Sequence, residues 1–116
     1  GAGLTAGNES DMKLLTILNA VPALHRLCAE PIDMRAAYAI HKRLPELDRC
    51  IDFFNAEREK ILQEHKGEEA EAKLRALLNF EADYHAEPIP LRVKEGARLC
   101  VNDISLLQGF ITFEED

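Results

Sequence analysis

Four histidines, His25, His41, His65 and His85, and one aspartate pair, Asp48 and Asp52, are the groups on this chain best suited to chemistry. An imidazole can transfer protons or bind a metal near neutral pH. A metal site, however, needs a second His, Cys or carboxylate at a fixed separation, as in His-Glu-x-x-His, and none of the four histidines has one. His65 falls near the end of a helical pattern, where its ring can cap carbonyls. Asp48 and Asp52 are four apart, on one helix face, so they could share a proton or hold a cation. Arg49 lies three residues before Asp52 and offsets their repulsion, so a solvated face is the simpler reading.

The candidate nucleophiles are equally isolated. Ser10, Ser105, Thr5, Thr16 and Thr112 lie in no Gly-x-Ser-x-Gly elbow, and Gly1, Gly3 and Gly7 precede no strand-to-helix turn that would cradle a phosphate. Cys28, Cys50 and Cys100 are odd in number, widely spaced and without a Cys-x-x-Cys pair, which removes the usual zinc and thioredoxin-like patterns. They read as small apolar residues in a reducing cytosol. The expectation is a protein that is not an enzyme, with no catalytic residues, cofactor or metal.

The segment that must organise the chain is 36–66. Ala37, Ile40, Leu44, Leu47, Ile51, Phe54 and Ile61 follow steps of three and four, with Arg58 at the one missed position. This spacing predicts a long helix with one apolar seam, close to that of a coiled coil. Asp33 is suited to cap it. Pro45 either kinks the helix or begins a new one in its first turn; the unbroken register favours a kink. Phe53 points about 100° away from Phe54, beside Cys50, so the helix is apolar on two flanks near its middle. The candidate packing and interface residues are therefore Ile40, Leu44, Leu47, Cys50, Ile51, Phe53, Phe54 and Ile61. The simpler reading is that one flank meets the 68–79 helix and the other the 12–29 helix or the hairpin; the alternative is that one flank meets a second subunit.

Gly67 is expected to stop the long helix, with Lys66 at its carbonyl end. Residues 68–79 then form a shorter antiparallel partner carrying Leu74, Leu77 and Leu78. Before the long helix, 12–29 repeats apolar residues at Leu14, Leu15, Leu18, Val21, Leu24, Leu27 and Cys28. Ser10 or Asp11 could cap this helix. Pro22 kinks it or starts a second helix capped by Asn19. Residues 1–11 hold three of the six glycines and read as a flexible leader or a vector-derived remnant, with Met12 a natural start. The rest, 12–116, is expected to form one helical domain.

After Asn79 the period changes. Phe80, Ala82, Tyr84 and Ala86 alternate with polar residues, which suits a half-buried strand. Ile89, Leu91 and Val93 alternate, Lys94-Glu95-Gly96 makes a turn, and Ala97, Leu99 and Val101 alternate again. That predicts a small hairpin of 89–93 with 97–101, its prolines suiting an edge. Asn102 is expected to cap a last short helix, ended by Gly109. The fold class is thus mainly α: a long kinked helix, a shorter antiparallel partner, an N-terminal helix and a small β-hairpin near the C-terminus.

The net charge of −7 is uneven. Residues 45–87 carry twelve acids and six bases, whereas 1–44 carry four acids and five bases. Such a balance argues against direct nucleic-acid binding, which needs clustered Lys and Arg. It leaves room for an acidic regulator of a basic site on a nucleic-acid-handling protein, an idea that needs the acids to form one face rather than to interleave with Arg49, Arg58, Lys60 and Lys73. No run approaches the ~20 apolar residues of a membrane span. Asn19 and Pro22 break the apolar run 14–18, and His25-Arg26 stands where an export signal wants small residues. A cytoplasmic location is expected.

Four stretches carry a resemblance: MKLLTILNAVPALHRL at 12–27, FFNAEREKIL at 53–62, LLNFEADYHAEPIPL at 77–91 and VNDISLLQGFITFEE at 101–115. In these the chain resembles a family of short phage- and prophage-encoded proteins of unknown function. The shared features are packing residues and turns, so the resemblance implies a fold and a phage setting, and no site residue. Pro45 and Cys50 depart from the family pattern. The expectation is a structural or interaction module whose partner is another protein or a second copy of itself, self-associating through the long helix.

Overall fold

The computed structural model describes residues 12–114, so a cap at Ser10 or Asp11 and the proposed leader lie outside the described residues. The fold is mainly helical with two small β pairs. In chain order the elements are β1 (Met12–Lys13), α1 (Leu14–Cys28), α2 (Met34–Glu64), α3 (Gly67–Leu78), β2 (Glu81–Ala82), β3 (Ile89–Arg92), α4 (Val101–Leu106) and β4 (Ile111–Glu114).

α2 is one helix of 31 residues, and its proximal half is the floor of the core. Ile40 and Leu47 have no solvent exposure, because α1 packs across them. α1 runs antiparallel to this half: Leu14 lies beside Cys50 and Phe53, and Leu24 beside Ile40 and Leu47. The buried face of α1 is Leu14, Ile17, Val21, Leu24 and Leu27, with Ala20 and Ala23 allowing close approach. Each large side chain removed from water there contributes about 1.5–3 kcal/mol. Leu15 and Cys28, expected on that face, are exposed.

Both prolines lie inside continuous helices. α1 runs through Pro22, so no second helix capped by Asn19 exists, and α2 runs through Pro45. Each ring is solvent-exposed, so the lost backbone bond and the clash with the preceding turn fall on the wet side, where water can serve the freed carbonyl.

The helix ends differ from expectation in instructive ways. Met12 and Lys13 are not helical; they pair antiparallel with β2, Met12 opposite Ala82 and Lys13 opposite Glu81. The Leu14 amide donates to the Phe80 carbonyl at 2.9 Å, so cross-chain pairing serves a helix start that has no side-chain cap. α2 stops at Glu64, leaving His65 and Lys66 extended. Gly67, at φ +63°, supplies the left-handed turn but opens α3 rather than closing α2. The ring of His65 turns to Glu69 of α3, not to the carbonyls of α2. α4 begins at Val101 after Cys100, with no side-chain cap from Asn102.

The expected hairpin of 89–93 with 97–101 does not form. β3 pairs instead in parallel with β4, Ile89 opposite Ile111 and Arg92 opposite Glu114, and α4 lies in the crossover between them. The turn at 94–96 does form, with the Ala97 amide donating to the Lys94 carbonyl. The Arg98 amide then donates to Glu30 at 2.8 Å, which draws the chain away from β3. Val101 is 80% exposed at the start of α4. Between 80 and 86 the alternation is real in burial, with Ala82 and Tyr84 inward, but only Glu81–Ala82 joins a ladder.

Asp33 fastens the start of α2 to β3. Its carboxylate accepts from the Ala36 amide at 3.1 Å, as a helix cap, and from the Arg92 amide at 2.8 Å. The Arg92 bond foremost holds this carboxyl below its usual range; desolvation, the next largest effect, opposes it, and the Ala36 bond adds to the lowering. A depressed folded-state value gives stability that is present above the unfolded value and lost as pH falls through the folded one. Asp33→Ala is expected to cost about 1–2 kcal/mol in urea unfolding. Asp33→Asn should shallow the loss of stability seen below about pH 4.

Candidate interaction surface

The two halves of α2 differ in what covers them. Proximally, α1 packs across the seam; distally, the described element that returns along it is α3. Beyond Leu47 the seam residues Ile51, Phe54 and Ile61 are half-buried, and Leu62 is exposed. α3 contributes Ala70 and Leu77 as buried residues, with Leu74 and Leu78 half-buried. Apart from α1, which also touches α3, none of the described elements packs extensively on this hairpin.

At the junction of the halves lies a shallow groove of about 430 Å³. Its floor is Leu14, Cys50 and Ala82, and its walls are two aromatic rings, Phe53 of α2 and Phe80 after α3. The rings stand 5.8 Å apart, tilted by 39°, a favourable aromatic geometry. Yet Phe53 is 44% and Phe80 51% exposed. Glu46 and Asp83 stand at the rim, with Arg49 the one base there. Asp83 is also bonded to the exposed His85 at 3.0 Å. The Cys50 thiol is pushed up by burial and by Glu46, with Arg49 partly opposing, so it is held as a neutral, apolar group.

Of the eight candidate packing and interface residues, Ile40 and Leu47 are core. Leu44, Ile51, Phe54 and Ile61 pack against the core while remaining half-exposed. Cys50 and Phe53 meet in the groove. On the seam face, α1 fills Ile40 to Leu47, and the seam from Ile51 onward is the part left half-covered. Phe80, the second wall, escaped the sequence reading as a surface residue, because alternation with Ala82 and Tyr84 placed it on an inward face.

The remaining polar constellations hold the fold together. A cleft of about 300 Å³ lies between the end of α1 and α4. Across it Arg26 donates to both carboxylate oxygens of Asp103, at 2.7 and 2.9 Å. That bond holds the Asp103 carboxyl below its usual range. Tyr84 is buried, stacks on Phe110 at 6.0 Å, and meets Arg43 through its hydroxyl, which burial foremost pushes up. Arg43 also donates to the Glu87 carbonyl, fixing the loop after β2. Asp48 and Asp52 are both exposed. Among the described residues no group of three or more His, Cys, Asp or Glu converges as a metal ion requires. None of the described helices is long and apolar enough to cross a membrane.

Compared with known proteins, the chain matches no family model, no curated protein and no solved structure.

The core and the groove should separate in mutational cost. Leu47→Ala is expected to destabilise the protein by about 2–5 kcal/mol, as a large-to-small change in a packed interior. Phe53→Ala, at a half-exposed position, should cost about 1 kcal/mol. Urea unfolding at low protein concentration measures both without a contribution from association.

Proposed function

We propose that this protein is a non-catalytic structural or interaction module, of the kind encoded by phages and prophages, that self-associates through its long helix in the cytoplasm. The observation that carries this reading is the Phe53–Phe80 groove: two large aromatic side chains, each about half exposed, walling an apolar floor in the middle of α2. Scattered single apolar residues on a surface are ordinary, but a paired aromatic patch rimmed by charge is the usual composition of a binding site. The half-buried distal seam of α2 continues the apolar surface beyond it. The phage setting rests on the sequence resemblance, and the cytoplasmic location on three free thiols and the broken export-like run.

The alternative, an acidic regulator of a basic site on a nucleic-acid-handling protein, has weaker support. Asp48, Asp52 and Glu59 follow helical spacing, but Arg49, Arg58 and Lys60 are exposed among them and Lys60 pairs with Glu57 at 3.1 Å. Lys73 is likewise exposed on α3.

Light scattering across a concentration series should show mass rising above that of the monomer in the micromolar range. Phe53→Gln should shift that rise to concentrations at least about tenfold higher. A wild-type protein that stays strictly monomeric at high micromolar concentration contradicts self-association.

A further inference from the structure

We propose that the occupant of the Phe53–Phe80 groove is a different surface of a second copy: the exposed stripe Met34–Tyr38–Lys42 at the start of α2. This rests on the self-association proposed above and specifies its geometry as head-to-tail.

Met34, Tyr38 and Lys42 are spaced four apart and so lie in one row along the helix. Met34 is 82% and Tyr38 63% exposed, large apolar side chains that none of the described elements covers. The Lys42 ammonium stands 5.6 Å from the centre of the Tyr38 ring, which holds the ring with a positive charge beside it. Arg35 and His41 are also exposed next to the row, and no acid lies between 34 and 45. The stripe is thus an apolar and basic ridge on a rigid, capped helix.

The groove has the opposite character. It is concave and apolar, its walls are aromatic, and acids outnumber bases at its rim. Ridge and groove match in shape class and in sign. Pairing groove with groove about a two-fold axis would instead bring Glu46 and Asp83 of both copies together against one Arg49 from each, a surplus of acid in a chain already carrying −7. Like-charge juxtaposition disfavours that arrangement, whereas ridge into groove relieves it. Used once per pair, this contact is heterologous and propagates into rings or open filaments, whereas an antiparallel pair with each ridge in the other's groove closes at two chains, so a wild-type mass that plateaus at the dimer overturns the head-to-tail geometry.

Complementation tests this. Tyr38→Glu spoils the ridge and keeps the groove; Phe53→Gln spoils the groove and keeps the ridge. Both positions are exposed enough for the variants to fold, which circular dichroism verifies. Each variant alone should be monomeric in sedimentation velocity at concentrations where the wild type associates, and an equimolar mixture should form a species of two chains and stop there. High salt should weaken both this species and the wild-type assembly. If Tyr38→Glu associates as the wild type does, the stripe is not the occupant, although self-association stands. If both variants are monomeric and their mixture stays monomeric too, the head-to-tail contact is overturned. A monomeric wild type overturns this inference together with the reading on which it rests.

Discussion

The packing of α1 across the proximal half of α2 is the constraint on which the rest depends. It buries Ile40 and Leu47 completely and brings Leu14 to Cys50 and Phe53. Because α1 begins there, the chain before and after must meet at that point, and β1 finds β2 across the first amide of the helix. The other end of α1 is tied to α4 by Arg26 and Asp103, and the start of α2 is tied to β3 by Asp33. The two β pairs are consequences of helix packing, since each is too short to persist alone.

The same packing explains why a surface is left over. A helix of 31 residues is about 46 Å long, whereas the 15 residues of α1 span about half of that. One half of α2 is therefore inside the domain and the other half belongs to a hairpin with α3. The groove forms where coverage changes hands, at the last residues α1 reaches and the first that α3 leaves behind. Its exposed rings follow from this mismatch in length.

The helices were legible in the sequence because their apolar periods are strong. Asp33 was legible as a cap because its side chain acts within one turn. The helix starts at Leu14 and Val101 are not legible, because no local cap marks them; the Leu14 start is served by Phe80, remote in sequence. The β pairing failed for the same reason. Alternation at 89–93 identifies an extended segment but not its partner, and the nearest alternating stretch, 97–101, is not the true one, Ile111–Glu114. Helical spacing alone sets Phe53 off the seam. The exposure of Phe80 is not legible in the same way, because alternation assigns faces within a strand and the strand proper begins one residue later. Met34 and Tyr38 carried no sequence signal as surface residues, since only coverage by neighbours decides whether an apolar side chain is core.

The most direct test of a surface completed by association is to watch the two rings themselves. Ring-proton NMR of the phenylalanines with a soluble paramagnetic probe reports the exposure of each ring, and Phe110, buried against Tyr84, serves as an internal control. Raising the protein concentration should reduce the probe's effect on Phe53 and Phe80 together, leaving Phe110 protected throughout. Equal exposure of Phe53 and Phe80 from the lowest to the highest concentration would contradict the account.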